Sequence, residues 1–252
     1  MQSIMVDKRF CGPPNSANGG YVCGLLAAYI DGSAEITLRA PPPLNRQLGI
    51  VAGADGGVEL RDDEITVATG RAVCLADPEI PAVTFSEAED AVRRTPYDEN
   101  NHKLPMCFVC GPARADGDGL RIFAGPLPTR LESKTGAFAA SWVPYSNLAA
   151  DDGRVAPEFV WAALDCPTGH AGLGARHFGM SGAETILLGR MSARINHRPR
   201  PGDRCIIVAW PTSREGRKLF TGGALLGADR ELLAVAQATW LMVDRKVQLG
   251  EK

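Results

Sequence analysis

Residues 15–30 read Asn-Ser-Ala-Asn-Gly-Gly-Tyr-Val-Cys-Gly-Leu-Leu-Ala-Ala-Tyr-Ile, a polar turn that runs through two glycines into an apolar segment. Glycine has no Cβ, so Gly19 and Gly20 let a ligand approach the backbone closely. If the apolar segment is a helix, its first N–H groups lack helical partners and carry the positive end of the helix dipole. Such a helix start can stabilise a carbonyl oxygen that becomes negative during a reaction. The alternative is a plain loop followed by a buried helix.

The composition restricts the class of protein. The chain has 252 residues, 45% of them apolar and 22% charged, with a net charge of −2. This length suits one large domain or two of about 100–150 residues. There is no basic excess for nucleic acid, and no apolar run reaches the roughly 20 residues of a membrane helix, so we expect neither nucleic acid nor a membrane as a partner.

The N-terminus lacks the apolar core of a secretory signal, and the seven cysteines are irregularly spaced. We therefore expect a reduced, cytoplasmic protein.

Two regions, residues 1–76 and 107–252, share one order of elements. Each has an apolar, helix-like stretch with a special start, a strand that stops at prolines, and a three-strand meander. In the first region strands are predicted at 35–40, 58–61 and 65–73. In the second they are predicted at 119–123, 136–143, 189–196, 204–209, 218–226 and 232–243, with a helix at 157–166 and a glycine-rich connection at 169–182. A helix beside an antiparallel sheet, made twice, indicates an α+β architecture.

Residues 77–106 form an acidic, proline-containing connector without glycine. Ser86 and Glu89 have the spacing of a capping box, which predicts a short surface helix at 86–95. Residues 98–102 are polar and predict an exposed loop.

The last predicted strand indicates how a helix packs on the sheet. Ala234, Ala236 and Ala238 share one face with Trp240, and small residues there let a helix approach. Gln237 lies on the other face in a largely apolar stretch. A buried glutamine there either makes a structural hydrogen bond or serves the site.

Three parts of the chain resemble hotdog-fold acyl-CoA thioesterases. The segment from Gly12 to Tyr21, with Leu25-Leu26-Ala27 after it, resembles their helix start, and the branch with two hotdog units in one chain, similar to bacterial acyl-CoA thioesterase II, fits best. Cys-Phe-Val-Cys-Gly-Pro at 107–112, with Gly-Leu-Arg-Ile at 119–122, resembles the opening of single-hotdog thioesterase-like proteins. Segments 201–205 and 232–240 resemble the closing strands. The resemblance implies a hotdog unit at 1–76, a linker at 77–106 and a second hotdog unit at 107–252.

The resemblance also implies where catalysis occurs. Hotdog thioesterases use a backbone N–H at a helix start and a helix acid, often as His-Gly-Gly with the acid seven residues after the second glycine. Here Asn18-Gly19-Gly20 is followed at that spacing by Ala27, whereas Asp165 stands seven residues after Glu158. The resemblance therefore predicts one composite site, with the Gly20 N–H from one unit and Asp165 from the other. The alternative for Asp165 is a bond to nearby backbone that ends its helix before Cys166-Pro167.

Further site residues follow from the same resemblance. Gln237 is the expected catalytic glutamine, and Asn18, Gly19 and Tyr21 are expected to contact the substrate.

A hydroxyl partner is left open between Thr185 and Ser192. Arg194 and Arg198 either grip the phosphates of coenzyme A or form a solvated positive edge.

Metal and cofactor signals are weak. Cys107-x-x-Cys110 is one half of a zinc-knuckle spacing without a second half in the sequence, so we expect no metal and no cofactor. Residues 172–177 lack the third glycine of a dinucleotide loop and predict a mobile connection or lid. His170 is expected to be exposed.

The predicted function is hydrolysis of acyl-CoA, or of another acyl thioester, by a monomer or by a homo-oligomer formed through hotdog sheets. Two alternatives remain: a non-catalytic acyl-CoA or lipid-binding protein, and an acyl-thioester hydratase or dehydratase. The Asp-x-Asn-Pro-x-x-x-His motif of hotdog hydratases is absent, which disfavours the last.

Overall fold

The computed structural model describes residues 2–53, 56–98, 100–128, 136–174 and 184–249. Its strands are β1 (Gln2–Met5), β2 (Ala34–Leu38), β3 (Gln47–Ala52), β4 (Val58–Asp62), β5 (Ile65–Ala72), β6 (Gly125–Pro126), β7 (Phe138–Trp142), β8 (Glu184–Ile195), β9 (Cys205–Glu215), β10 (Lys218–Gly227) and β11 (Leu232–Asp244). Its α-helices are α1 (Gly19–Ala27), α2 (Phe85–Arg93), α3 (Pro157–Gly174) and α4 (Arg245–Leu249). None of these helices is long and apolar enough to cross a membrane.

All described strands belong to one antiparallel sheet in the order β1-β3-β4-β5-β2-β8-β11-β10-β9-β7-β6. The strands before α2 therefore occupy one side of the sheet and those after it the other. The two sets join where β2 pairs with β8, for example through Ala34 with Ala193 and Ile36 with Met191. The antiparallel α+β prediction is confirmed. The boundaries 1–76, 77–106 and 107–252 stay a prediction.

Helices α1 and α3 pack directly on each other because α1 carries glycines at the contact. A Cβ added at Gly20 would lie 2.4 Å from the Cβ of Asp165, and one at Gly24 would lie 2.5 Å from the Cα of Glu158. Only glycine allows backbones this close. The start of α1 is therefore held against the middle of α3.

The predicted strand at 119–123 is wrong. Leu120 N–H donates to Phe108 O at 2.8 Å and Ile122 N–H to Val109 O at 2.9 Å, but Arg121 between them has φ of 53°. A positive φ turns the backbone and ends the alternation of a strand. The segment is an ordered loop that lies against residues 108–109.

Helix α3 is longer than predicted, because it continues through Pro167 to Gly174. Proline lacks an N–H, but its neighbour Thr168 ties the turn by donating from Oγ1 to Asp165 O at 2.7 Å. Residues 169–174 of the predicted connection are thus helical, and 175–182 lie outside the described residues. His170 is buried at 7% exposure, so its predicted exposure is wrong.

The connector also differs in detail. Its helix is capped by Thr84 and Glu87, not by Ser86 and Glu89, and the two residues bond each other's backbone N–H groups. In the loop predicted at 98–102, His102 is half-buried and its ring lies 6.3 Å from that of His170. Part of this connector therefore lies against α3.

Candidate active site

Asn18 fixes the start of α1 and reaches across to α3. It is the N-cap, in extended conformation, and its Oδ1 accepts a hydrogen bond from Tyr21 N–H at 2.9 Å. This bond turns the amide NH₂ outward, and Nδ2 donates to Asp165 Oδ2 at 2.8 Å. One side chain therefore satisfies the helix start and holds a carboxylate of the other helix.

Asp165 is the acid at this contact. It is buried at 2% exposure on α3, and its Oδ2 also accepts the Gly20 N–H at 2.9 Å. Its Oδ1 is buried and has no hydrogen-bond partner within the described part of the chain. Asn18, Gly20 and Asp165, predicted from different regions of the sequence, are thus brought together.

The electrostatics of the carboxyl group follow from this burial. Desolvation raises the pKa of Asp165 to about 7, while the hydrogen bonds from Gly20 and Asn18 act in the opposite direction. A buried acid with one oxygen anchored and one unpaired is suited to exchange a proton.

A cavity of about 360 Å³ lies beside these residues. Asn18, Gly19 and Asp165 line it. Much of the remaining wall is apolar and comes from β2, α3, β8, β11 and α4. It includes Leu38, Leu173, Ile186, Leu188, Trp240 and Leu249. Such a cavity fits an apolar ligand that presents one polar group to the helix start.

A cluster of thiols and imidazoles lines the same cavity and was not predicted. Cys107 Sγ lies 3.6 Å from Cys166 Sγ, and Cys110 completes a group of three cysteines whose sulfur atoms are within 4.8 Å of one another. His102, His170 and Cys110 form a second group, whose ligand atoms also lie within 4.8 Å of one another. Thiolates and imidazoles are the ligands of transition metals, so this cluster could hold one.

Two groups in this cluster, Cys107 and His170, have shifted pKa values. Hydrogen bonds from Cys110 and Cys166 hold the pKa of the Cys107 thiol well below its usual range, and the backbone N–H groups of Cys110 and Val109 act in the same direction. Burial lowers the pKa of His170 to about 3, so its imidazole is neutral at pH 7. The cluster therefore offers a stabilised thiolate beside a neutral ring nitrogen.

The predicted substrate contact Tyr21 lies away from the cavity. Tyr21 is buried against the rings of Phe10, Phe108 and Phe159, because the helical turn carries its side chain away from the cavity.

Arg194 bonds Leu75 O and pairs with Asp77, and Arg198 pairs with Asp152. Both guanidinium groups have protein partners and neither lines the cavity, so the structure does not bring these arginines to the helix contact.

Gln237 is exposed and lies on the other face of the sheet. It pairs with Gly222 of β10, whereas the next residue, Gly223, faces α3 with its added Cβ 2.8 Å from Thr168. Because side chains alternate along a strand, Gln237 points away from the helices. Its predicted burial is wrong, and the structure does not bring it to the contact of α1 with α3.

Of the two candidate hydroxyl groups, one lies at the cavity and the other on the outer face of the sheet. Thr185 lines the cavity but donates to Gln248 Oε1 at 3.0 Å. Ser192 pairs with Gln237 and donates to Glu35 Oε2 at 3.2 Å on the outer face.

The fold is similar to that of solved thioesterase structures. An acyl-CoA thioesterase II, TesB2, from Mycobacterium marinum matches with a TM-score of 0.61 and 11% identity over 96% of this chain and 92% of its own. A tesB protein from Mycobacterium avium subsp. paratuberculosis gives 0.58 and 13% identity over 90% and 87%. A thioesterase-like protein from Novosphingobium aromaticivorans gives 0.57 and 16% identity over 95% and 94%. The matches confirm the predicted hotdog fold.

No protein-family model and no curated protein matches the sequence.

Proposed function

We propose that this chain hydrolyses acyl thioesters, with acyl-CoA as the substrate class. The observation that carries the proposal is the buried Asp165 carboxylate at the start of α1, on the wall of an apolar cavity. The likeness in fold to thioesterase structures supports the same reaction class. The site is composite, because Asn18 and Gly20 come from one half of the sheet-forming chain and Asp165 from the other.

The unpaired Oδ1 of Asp165 is the proposed general base. It takes a proton from a water molecule whose oxygen attacks the thioester carbonyl carbon. The carbon–sulfur bond then breaks, the acid leaves with the new oxygen, and the proton passes to the departing thiolate. Oδ2 stays anchored by Asn18 and Gly20, which fixes the carboxylate plane.

The proposed donor to the carbonyl oxygen is the Gly19 N–H. The Gly20 N–H, predicted for this role, already donates to Asp165. Gly19 is the first residue of α1 and lines the cavity, and among the described residues its N–H has no acceptor. A donor already fixed in place stabilises the negative charge of the tetrahedral intermediate without reorganisation.

The second helix start cannot serve as an equivalent site. Helix α3 begins with Pro157-Glu158, where α1 has Gly19-Gly20, and proline has no N–H to donate. Ala27 stands in α1 at the position that Asp165 has in α3. We therefore propose one active site per chain.

Two cationic side chains favour coenzyme A as the carrier. Arg39 and Lys103 both line the cavity and are exposed, and neither forms an ion pair with a described residue. We assign the coenzyme A phosphates to these two residues in place of Arg194 and Arg198.

The test is release of free thiol from a panel of acyl-CoAs, from short and aromatic to long-chain. We expect wild-type turnover on part of the panel, and Asp165→Asn should reduce kcat/KM by about 10²–10⁴-fold because a general base is lost. The amide keeps the size of the side chain, and circular dichroism checks the fold.

Asp31→Asn is the matched control, because Asp31 is exposed and outside the cavity. It should keep wild-type activity. Turnover by Asp165→Asn at the wild-type rate would reject this site. Acyl-CoA binding by the wild type without turnover of any substrate would favour the non-catalytic binding function instead.

A further inference from the structure

The three cysteines of the cluster have the spacing of ligands to one metal ion. In a tetrahedral site with zinc–sulfur bonds of about 2.3 Å, two sulfur atoms are about 3.8 Å apart. Cys107 Sγ and Cys166 Sγ are 3.6 Å apart, and Cys110 Sγ lies within 4.8 Å of both. Three sulfur atoms at this spacing can share a single ion.

The fourth ligand comes from one of two imidazoles beside Cys110. His102 Nδ1 accepts the Leu104 N–H at 3.0 Å, so its neutral ring carries the proton on Nε2, which cannot then bind a metal. His170 Nδ1 is buried, and no described residue bonds it. His170 also follows Cys166 by four residues on α3, so both side chains lie on one helix face. His170 is therefore the better ligand.

The backbone of the Cys-x-x-Cys segment forms a tight turn that brings two cysteine side chains together. The Gly111 N–H donates to Cys107 O at 2.9 Å, which closes the turn. A Cβ at Gly111 would lie 2.5 Å from two carbonyl oxygens, so this position requires glycine. Because the turn holds the sulfur atoms of Cys107 and Cys110 within 4.8 Å of each other, both can bind the same ion.

We propose that Cys107, Cys110, Cys166 and His170 bind one zinc ion. Three sulfurs and one nitrogen in a tetrahedral arrangement are the ligand set of structural zinc sites. The ion joins the loop at 107–111 to the middle of α3, one residue from Asp165. It therefore fixes the wall of the cavity next to the carboxylate.

The experiment measures metal binding by the full chain without substrate, so its result is independent of the proposed hydrolysis. Zinc content of the purified protein is determined by elemental analysis, and the reduced, metal-free chain is titrated with Co²⁺. We expect one equivalent of zinc, and with cobalt a thiolate-to-metal charge-transfer band and the intense visible bands of a tetrahedral site. Chelation should lower the Tm of the wild type.

Substitutions assign the ligands. Cys166→Ser should lose most of the charge-transfer intensity and weaken zinc binding, whereas Cys74→Ser, at an exposed cysteine, should keep both. His170→Ala should shift the visible cobalt bands, and His102→Ala should leave them in place.

Three results would overturn the proposal or part of it. Failure of the reduced wild type to bind Zn²⁺ or Co²⁺ would reject the site, and so would a Cys107–Cys166 disulfide found by mass spectrometry in protein purified without oxidant. Loss of the cobalt bands in His102→Ala but not in His170→Ala would reject His170 as the fourth ligand. Because wild-type titration needs no variant, misfolding of a cysteine variant does not affect the decision.

Discussion

The side chain of Asn18 makes two close hydrogen bonds, and each fixes the direction of the other. Its Oδ1 is committed to the Tyr21 N–H, so only Nδ2 faces Asp165. The helix cap thus becomes part of the proposed site. Gly19, next along the chain, is left with an unpaired N–H among the described residues.

Proline substitution tests that N–H directly. Gly19 is the first residue of α1, where proline is well tolerated, and Asn18 before it already has the extended conformation that a following proline requires. We expect Gly19→Pro to fold but to lose about 10²–10³-fold in kcat, the typical effect of removing one oxyanion donor. Thioester hydrolysis and urea unfolding measure the two effects.

Gly19→Ala is the control, because it adds the same Cβ near Leu188 but keeps the N–H. It should retain most of the activity that Gly19→Pro loses. Equal activity of the two variants would show that the Gly19 N–H has no part in the reaction.

At the scale of elements, the contact between α1 and α3 brings the site together. Gly20 and Gly24 lie four residues apart and form one groove on α1, into which α3 fits at Asp165 and Glu158. The polar pair of Asn18 and Asp165 then forms where the helices are closest. This contact is more specific than apolar packing, because any Cβ in the groove must displace backbone.

Alanine at Gly24 is expected to destabilise the protein. In an open helix interior the change from glycine to alanine stabilises by about 0.5–1 kcal/mol. Here the new Cβ meets the Cα of Glu158 at 2.5 Å. We expect the free energy of unfolding to fall by about 1–3 kcal/mol, as for other overpacked contacts.

Gly172 provides the comparison within α3. The nearest atom to an added Cβ there is a side-chain methyl of Thr221 at 3.3 Å, which can yield. Gly172→Ala should leave the free energy of unfolding unchanged or raise it by up to about 1 kcal/mol, because the helix gain is retained where the neighbour yields. If urea unfolding gave equal values for Gly24→Ala and Gly172→Ala, the close contact of α1 with α3 would be wrong.

The positions of the helices and strands were predicted from the sequence more accurately than the face of each element that is buried. The Gly-Gly helix start and the spacing of Asp165 are local signals, and both residues lie at the helix contact. The burial of Gln237 was predicted wrongly, because alternation shows which residues share a face of the strand but not which face is buried.

The thiol cluster was missed because Cys107 and Cys166 are 59 residues apart. The other proposed ligands, Cys166 and His170, lie on α3, and only the folded structure brings this helix against the loop that carries Cys107 and Cys110. Pro167 and the glycines after it also concealed the continuation of the helix to His170.

At the scale of the whole molecule, the two halves share one sheet and one core. The pairing of β2 with β8 runs through the middle of the sheet. A single apolar cluster includes Leu26 and Leu60 from the first half together with Leu164 and Ile207 from the second. Exposure of this core in either half would break the contact of α1 with α3, so the proposed site requires both halves.

This shared core predicts one cooperative unfolding transition. Leu60 and Ile207 are both fully buried, one in each half. Leu60→Ala and Ile207→Ala should each lower the free energy of unfolding by about 2–5 kcal/mol, and each should move the whole transition rather than a part of it. Ile65→Ala, at a side chain that is 57% exposed, should change it by about 0.5 kcal/mol or less. Calorimetry and far-UV circular dichroism follow the transitions. Two separate transitions, of which each buried variant shifts only one, would mean that the halves unfold independently and that the shared core contributes little coupling.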